Sequence, residues 1–422
     1  MKTKVTVTAM LATVLISQGA IAKTLEDVLK EKGVITEADY KEVTKVKPVQ
    51  YKLGKGFTFT APDEKFQLSV GGRLQPRYTF IDLEDNSKKT DSSAFAVKRA
   101  RLWLRGYAYT KDLTYYLQTD FAQAGTSKLL LDSWLNYRFI DEVQIQAGQL
   151  KTPFGRQWLA SSADLEFVDR SVVSDAFRPG YDTGVNLHGD IAKGIATYDI
   201  GAYGGAGWST VRTSTDNAIA ARVAVNPFGK LGYSEGDLDQ SAKPLLSIGA
   251  NYFGDSLRAT RSSATATPPN TTTLETNNLN FASSGGWLGK GLANFTTSEN
   301  IDINSYGIDA AFKWNGLFVS GEYLLGEAEG ATSGKLLRAQ GFYAQAGYFI
   351  IPKTLEAAFR YSYLDSDRDK SNDLQVDTQG AVSYYFDGHN LKLQSDITNS
   401  HIQHAAGPTD DLQLRLQATI VF

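Results

Sequence analysis

Apolar and polar residues alternate with a period of two from Phe66 to the end of the 422-residue chain. Leu68 and Val70 alternate with Gln67 and Ser69 at its start. Because successive side chains of a strand point to opposite faces, each such segment has one apolar and one polar face. Most of the sixteen segments have about the 9–11 residues that a tilted strand needs to cross a bilayer. The predicted strands are 66–80, 95–109, 113–122, 129–139, 143–151, 184–191, 195–203, 217–226, 244–253, 302–314, 316–325, 338–350, 354–364, 375–386, 390–399 and 411–422.

The connections between these strands alternate between long polar loops and short turns. Asn315 and 351–353 are short turns, 152–183 and 254–301 are long loops, and the long turn 227–243 is the exception. A bacterial outer-membrane barrel has this asymmetry, with an even strand number and both barrel ends in the periplasm. We therefore predict an all-β fold, a transmembrane antiparallel barrel over residues 66–422, wide enough for an aqueous channel. The Thr-, Asn- and Ser-rich loop 254–301 is expected to be a mobile extracellular loop.

A soluble β-sandwich is the alternative fold, because its strands alternate as well. The predicted outward face is apolar almost everywhere, whereas the predicted inner face is polar, and a sandwich core does not tolerate polar residues. Aromatic residues also cluster at strand ends, as they do at membrane interfaces. The aromatic positions are Tyr107, Tyr109, Tyr137, Phe139, Phe312, Trp314, Tyr361, Tyr363, Tyr384, Tyr385 and Phe386.

The N-terminus has a different pattern. Two lysines precede an apolar run over 5–16 and an Ala-Ile-Ala site at 20–22, which predicts a signal peptide over residues 1–22. Residues 24–45 predict two short helices, the first ended by Gly33 and the second capped by Thr36. Residues 46–65 are expected to be a linker, so that 23–65 forms a periplasmic helical hairpin and linker. Its role stays open between a loose arm and a small oligomerisation or anchoring element.

Composition excludes several classes of function. The formal net charge is −3, which disfavours a nucleic-acid-binding protein. There are no cysteines and only four histidines, so disulfides, thiolate metal sites and covalent haem are excluded. His401 and His404 supply too few ligands for a metal, and 365–369 lacks the glycine and glutamate of a calcium loop. We predict no cofactor, no metal and no enzymatic activity, because no nucleophile, phosphate loop or dinucleotide motif is present.

The alternation also assigns side chains to the lumen. Arginines of strands 66–80 and 95–109 and of the closing strand 411–422 point inward, and they form a basic wall because the last strand of a closed barrel pairs with the first. Arginine suits anions because its planar guanidinium binds phosphate or carboxylate with two hydrogen bonds. The predicted anion-binding pore residues are Arg73, Arg77, Arg99, Arg101, Arg105, Arg138, Arg222, Arg360 and Arg415. The alternative for any one of them is a structural ion pair, for example Arg105 with Asp120.

The long loop 152–183 stands where porins fold one loop into the lumen, so we predict that it forms the constriction. Its predicted functional residues are Lys151, Arg156, Asp164, Glu166, Asp169, Arg170 and Arg178. Since acidic residues are in excess in this loop, two outcomes stay open. The basic wall selects anions, or an acidic loop facing a basic wall produces a transverse field and a weakly selective general pore.

Three segments resemble the phosphate-selective porin O/P family. They are residues 97–106 (VKRARLWLRG), 148–155 (GQLKTPFG) and 178–184 (RPGYDTG), and the helical hairpin near Gly33 also recurs there. The resemblance covers essentially the whole mature chain. It implies a homotrimeric outer-membrane porin that passes anions such as phosphate, with the third loop folded into the pore. Phosphate-specific members have an arginine ladder and a lysine cluster, from which this chain departs, since strand 217–226 supplies only Arg222.

The sequence therefore predicts a porin of the bacterial outer membrane, in contact with lipid and lipopolysaccharide, for passive diffusion of small anions. The alternatives are a weakly selective general diffusion porin and a barrel that serves as a scaffold or adhesin for a partner protein.

Overall fold

The computed structural model describes residues 25–43, 49–83, 91–123, 128–212, 215–276, 278–404 and 407–422. The chain divides into two compact units, residues 1–48 and 49–422. The predicted signal peptide lies outside the described residues.

The N-terminal unit contains the two predicted helices, α1 (Leu25–Glu31) and α2 (Glu37–Val43). Gly33 has a φ of +68° after α1, a conformation that glycine adopts at little cost. Thr36 Oγ1 accepts a hydrogen bond from Asp39 N at 3.1 Å, while Thr36 N donates to Asp39 Oδ2 at 2.9 Å. These reciprocal bonds satisfy backbone groups at the start of α2. An ion pair between Lys30 and Glu37 joins the two helices at 2.6 Å.

The second unit is a closed antiparallel barrel in which β19 pairs with β3. Sixteen of the strands among the described residues form the barrel wall, and three short strands, β1, β2 and β12, pair with its edges or loops. The strands are β1 (Val49–Lys52), β2 (Gly56–Thr60), β3 (Phe66–Asp82), β4 (Ser92–Ala108), β5 (Thr110–Asp120), β6 (Leu130–Ile140), β7 (Val143–Lys151), β8 (Tyr181–Ile191), β9 (Ala196–Tyr203), β10 (Ala218–Val225), β11 (Leu245–Arg261), β12 (Thr272–Leu274), β13 (Glu299–Trp314), β14 (Leu317–Gly330), β15 (Leu336–Ile351), β16 (Leu355–Asp365), β17 (Leu374–Asp387), β18 (Leu391–Ile402) and β19 (Thr409–Val421).

All sixteen predicted strands are confirmed, and β7 has the predicted bounds. The differences lie mainly at the long-loop rim, where β11 continues eight residues beyond its predicted end, to Arg261. Short helices lie in the connections. They are α3 (Arg156–Leu159), α4 (Val172–Phe177), α5 (Trp287–Gly291) and the 3-10 turns Phe121–Gln123, Ala192–Gly194, Asn280–Ala282 and Leu292–Asn294.

The predicted linker is wrong for residues 49–60, which form the hairpin β1–β2. Strand β2 pairs with residues 67–70 of β3, on the edge that β19 occupies farther along the strand. Because β19 pairs with β3 only from residue 73 upward, the start of β3 has a free edge. The hairpin covers that edge, which otherwise exposes unpaired backbone groups.

The outer face of the barrel is apolar, as predicted. Exposed side chains such as Ile308, Phe359 and Leu393 alternate with buried inward residues. Tyr109, Phe139 and Trp314 are exposed near the turn rim, which fits an aromatic girdle. Tyr385 is an exception, since only 3% of it is exposed and its hydroxyl donates to Glu356 in the lumen. No helix in the described part of the chain is long and apolar enough to cross a membrane.

The expectation of a mobile loop at 254–301 is wrong. Its first and last residues belong to β11 and β13, and the connection folds into the barrel mouth. There Phe281, Trp287 and Phe295 are fully buried, and Trp287 stacks on Phe177 of the 152–180 loop at 6.1 Å between ring centroids.

The inward face of β11–β15 is correspondingly apolar near this rim, not polar throughout. Phe253, Leu257, Ile301, Leu324 and Leu337 belong to the same buried cluster as the loop side chains. Gly326 leaves the space that Trp287 fills, because a Cβ at residue 326 would lie 2.6 Å from the indole. A hydrophobic core therefore fills the side of the mouth next to β11, β13, β14 and β15.

We expect the substitution Trp287→Ala to destabilise the protein by about 3–5 kcal/mol, as is typical of a deleted buried aromatic side chain. Trp287 is fully buried between two loops and the wall. The urea midpoint of the refolded barrel measures the effect. Val211→Ala is a matched control, because Val211 is 91% exposed on another loop. An unchanged midpoint for Trp287→Ala would mean that the loop contributes nothing to stability.

Candidate pore and constriction

Residues 152–180 connect β7 to β8 and fold into the lumen, and we call this segment the constriction loop. Phe154 is fully buried, and the N-terminus of α3 rests on a carboxylate of the opposite wall. Glu322 of β14 accepts hydrogen bonds from the backbone N–H groups of Arg156, at 3.0 Å, and Gln157. A carboxylate at this position satisfies N–H groups that have no partner within the helix. The loop thus spans the barrel from one wall to the other.

Asp169 fastens this loop to the basic wall. Its carboxylate contacts Arg77 at 2.5 Å, Arg99 at 3.0 Å and Arg415 at 3.4 Å. Arg415 also binds Asp396 through two hydrogen bonds of 2.7 Å. The three guanidinium groups hold the pKa of Asp169 well below its usual range, so the carboxylate stays ionised. Part of the predicted basic wall therefore holds the loop.

Arg73 binds the tip of the loop, where its guanidinium donates to Ser161 Oγ at 3.2 Å and Ser162 Oγ at 3.0 Å. In the strand pairing Arg73 stands directly opposite Arg101. Like charges opposite each other on neighbouring strands are destabilising. Asp120 pairs with Arg101 at 2.8 Å and compensates only part of this charge. An arrangement that costs stability is typical of a functional site.

Two predicted pore arginines are engaged elsewhere in the lumen. Arg222 is buried and forms a bidentate pair with Asp309, at 2.6 and 2.8 Å, so its charge is balanced. Arg360 lies 4.2 Å from the Phe167 ring and donates to the Asp169 carbonyl, so it supports the loop from below.

Arg138 does not lie at the constriction. It is exposed near the turn rim and pairs with Asp112 at 2.7 Å and Asp141 at 3.2 Å. Alternation identified its face correctly, but gave no information on its depth along the strand.

The long turn segment 226–244 also enters the lumen, and sequence reasoning missed this. Glu235 is 3% exposed, accepts a hydrogen bond from Gln157 Nε2 at 3.0 Å, and donates its N–H to the Asp164 carbonyl at 2.8 Å. The Arg156 guanidinium donates to the Gly232 carbonyl. The turn segment is exceptionally long for a turn, and this length was the signal available in the sequence.

A cavity of about 300 Å³ lies between the wall and the upper side of the constriction loop. It is strongly basic, with a single carboxylate, Asp120, among its lining residues. We call it the upper cavity, because it lies on the side of the loop that faces the long-loop rim. Its basic lining residues are Lys98, Arg99, Arg101, Lys128, Lys151, Arg170 and Arg178.

Lys98 lies on the lumen side, although simple alternation with Arg99 would place it on the lipid face. The pairing of β3 with β4 shifts between Gln75 and Pro76, since Gln75 pairs with Arg99 and Pro76 with Val97. Lys98 is therefore the extra residue of a β-bulge, which re-aims a side chain. It lines the upper cavity beside Arg99 and forms no hydrogen bond or ion pair with the described residues.

Trp158 lies against three other cations of the upper cavity. Lys151, Arg170 and Arg178 lie 4.9, 5.1 and 4.6 Å from its ring centroid. Lys151 and Arg170 also donate to the Ala160 carbonyl at 2.9 and 2.7 Å, at the end of α3, where backbone oxygens lack partners. Both residues therefore stabilise the constriction loop in addition to lining the cavity.

A second cavity, of about 350 Å³, lies below the loop tip and is lined by Arg73, Arg105 and Asp164. We call it the lower cavity. Ser162 lines the upper cavity and Ser161 the lower one, so the two are separated by the loop tip and Arg73.

Arg105 is exposed at the lower cavity and, within the described part of the chain, forms no ion pair. The suggested pair of Arg105 with Asp120 is wrong, because Asp120 pairs with Arg101 at 2.8 Å, farther up the same strand. Arg105 stands opposite Tyr116 in the pairing of β4 with β5. Its charge is therefore not balanced by the neighbouring strand.

No group of three or more His, Cys, Asp or Glu side chains among the described residues is arranged to hold a metal. The upper and lower cavities lie on opposite sides of the loop tip, along β3, β4 and β5. A closed sixteen-stranded barrel with an apolar outer face and a polar lumen crossed by an infolded loop defines an outer-membrane porin.

Residues 68–422 match the family model described as "Phosphate-selective porin O and P", and the chain belongs to this family. It is 24% identical over 406 residues to an uncharacterised protein of Aquifex aeolicus, covering 86% of each chain. It is 23% identical over 356 residues to Porin O of Pseudomonas aeruginosa, covering 82% of this chain and 77% of that protein. An anion-selective porin from Comamonas acidovorans has the same fold, with a TM-score of 0.58 at 10% identity over 84% of this chain and 99% of that one. Family and fold indicate a channel rather than an enzyme.

Proposed function

We propose that this porin passes small anions, phosphate among them, by diffusion from the upper to the lower cavity along the basic wall. The observation that carries the proposal is the excess of positive charge in the upper cavity, where Asp120 is the single carboxylate among the lining residues. Basic groups that line a narrow path select anions. The path must be narrow, because physiological salt screens a charge beyond about 8 Å. The description of the family as phosphate-selective supports phosphate as a solute.

Lys98 and Arg105 are the residues that we expect to contact the permeating anion transiently. Lys98 lies at the upper cavity and Arg105 at the lower one, and both lack ion-pair partners among the described residues. Arg99 and Arg101 add charge but are shared with Asp169 and Asp120. A solute can therefore exchange between unpaired cations without first breaking an internal ion pair.

A weakly selective general pore is the second candidate, and Asp169 is the observation in its favour. Its carboxylate takes up part of the charge of Arg77, Arg99 and Arg415. Such partial neutralisation weakens the attraction for any single anion while leaving a transverse field across the lumen.

We further propose that the porin is a homotrimer in contact with lipopolysaccharide, which rests on the family to which the chain belongs. Chemical crosslinking of the detergent-extracted protein tests the trimer, and a purely monomeric pattern would contradict it. If the barrel instead serves as a scaffold or adhesin, a stoichiometric partner protein should co-purify with it and no ion flux should be measured.

The deciding measurement is the reversal potential of single channels in a planar bilayer under a KCl gradient, followed by addition of phosphate. A reversal potential close to the equilibrium potential of chloride, together with block of the current by phosphate, supports the anion pathway. Open steps with weak selectivity and no block would favour the general pore, and the absence of conductance would overturn both.

A further inference from the structure

The constriction loop, the turn segment and the barrel wall meet at three buried glutamates. Glu166 comes from the loop, Glu235 from the turn segment and Glu356 from β16, with exposed fractions of 0%, 3% and 1%. Glu166 N donates to Glu235 Oε2 at 2.9 Å, and Glu166 Oε2 accepts from Gln345 Nε2 at 2.8 Å. Tyr385 OH donates to Glu356 Oε2. One oxygen of Glu166 and one of Glu356 are left after these bonds.

These two oxygens, Glu166 Oε1 and Glu356 Oε1, are buried and accept no hydrogen bond from an N–H group or a hydroxyl of the described residues. They meet above Gly347, where a Cβ would collide with Glu166 Oε1 and come within 3.2 Å of Glu356 Oε1. The two carboxyl groups therefore lie beside each other at this glycine, without another donor to separate them. Because a carboxylate only accepts, a hydrogen bond between the two groups requires a proton on one of them.

We propose that Glu166 and Glu356 share one proton, and that this proton fastens the constriction loop to the barrel wall so that alkaline pH releases it. Glu166 is thereby a positioning residue for the constriction. Its burial among carboxyl groups raises its pKa well above the usual range, because desolvation and like charges both disfavour ionisation. Loop docking is then complete below the ordinary glutamate pKa and is lost as the pH rises through the raised value, which belongs to the pair.

The charged and titratable groups around the pair have distinct roles. On the loop and the turn segment they are Asp164 and Glu235, which add negative charge. Lys313 of β13, Arg360 of β16 and Lys392 of β18 add positive charge, and Lys392 donates to the Leu165 carbonyl at 2.8 Å. Tyr343 and Tyr385 are neutral donors. His389 contacts Lys392, and burial with that positive charge holds its pKa well below the usual range, so it stays neutral.

Once the shared proton leaves, the four carboxylates of Glu166, Glu356, Glu235 and Asp164 outnumber the three surrounding cations named above. Removing the proton places two ionised carboxylates against each other at a site without solvent, which is a strongly unfavourable arrangement. Movement of Glu166 away from Glu356 relieves the repulsion. This movement carries the loop away from β15 and β16 and widens the lumen.

The experiment is the conductance of the wild-type porin and of the variant Glu166→Gln between about pH 5 and about pH 10, a range that brackets a raised glutamate pKa. The expected wild-type result is a rise in conductance, with noisier open states, on the alkaline side. The side-chain amide introduced by Glu166→Gln donates to Glu356 without a titrating proton, so the variant is expected to lose the transition. Glu356→Gln gives the same loss by the mirror-image bond and serves if the first variant does not fold. Glu329→Gln is the matched control, because Glu329 is exposed on β14 at the loop rim, and it keeps the transition.

A wild-type channel with constant conductance across this range would overturn the proposal, as would a transition that survives in both glutamine variants. The latter result would assign the titration to another group, such as Lys392. Because the readout is conductance and not ion selectivity, the test is independent of which anion the pore prefers.

Discussion

The double substitution Lys98→Glu and Arg99→Glu is expected to abolish the anion preference and to move the reversal potential towards the cation side. Both residues line the upper cavity on adjacent positions of the β-bulge, so four units of charge change within one narrow region. The interaction energy of two unit charges about 4 Å apart is roughly 1 kcal/mol in bulk water and about 4 kcal/mol at an effective dielectric constant of 20. The ratio of anion to cation permeability should therefore fall by at least about tenfold.

Two controls make this result specific to the upper cavity. Lys353→Glu changes an exposed residue in the turn between β15 and β16 and should leave the reversal potential unchanged. Arg138→Ala removes an arginine that alternation assigned to the pore but that the structure places in a rim ion-pair cluster. It should also leave selectivity unchanged. An unaltered reversal potential in the double variant would show that the anion path does not pass the upper cavity.

The position of Lys98 could not be obtained from the sequence, for a physical reason. The two-residue alternation assigns side chains to the correct face as long as every residue pairs with the neighbouring strand. It correctly placed five arginines in the lumen, namely Arg73, Arg77, Arg99, Arg101 and Arg415. A single unpaired residue inverts the assignment locally, and the β-bulge depends on how β3 pairs with β4. Pro76, which cannot donate to the strand ladder, stands at the bulge and was the local signal.

The same distinction separates the predicted barrel from its unpredicted contents. Strand number, closure and outward face follow from local alternation, and all sixteen strands were found. The infolding of loop 254–301 depends on Phe281, Trp287 and Phe295 meeting Phe253 and Leu337 across the lumen. Such long-range contacts leave no periodic signal, and the abundance of Thr, Asn and Ser in the loop hid its few aromatic anchors.

The candidate site was predictable in its charges but not in its pairing. The alternation pattern does not distinguish between inward-facing arginines, although they have different roles in the structure. Arg222 is neutralised by Asp309, and Arg415 is shared between Asp396 and Asp169. Arg105 forms no ion pair with the described residues. Which carboxylate reaches which arginine depends on the path of the constriction loop, and this path is a property of the folded barrel.

Asp169→Asn is expected to increase phosphate block of the chloride current and to loosen the constriction loop. Asp169 is the internal anion that Arg77, Arg99 and Arg415 bind, and it competes with any solute for Arg99, which lines the upper cavity. Charge-assisted hydrogen bonds contribute about 1.5–3 kcal/mol each, so their loss exposes strong donors to the lumen. The inhibition constant for phosphate should fall by about tenfold or more, which corresponds to one such bond.

The pH dependence of the wild-type protein gives an independent check on Asp169. Its lowered pKa means that its ion pairs contribute stability above the ordinary aspartate pKa, and that this contribution disappears only as the pH falls through the lowered value. The wild-type loop should therefore stay docked in mild acid, whereas the Asp169→Asn loop should already be loosened at neutral pH. Protease cleavage within residues 152–180 reports loosening directly.

Asp112→Asn is the matched control for this variant. Asp112 lies at the turn rim, pairs with Arg138 at 2.7 Å, and lines neither the upper nor the lower cavity. Its substitution should change neither phosphate block nor cleavage. If Asp169→Asn behaves like Asp112→Asn in both assays, the carboxylate of Asp169 is a passive charge. If cleavage increases without stronger phosphate block, Asp169 only fastens the loop, and the arginines it releases are not reached by the permeating anion.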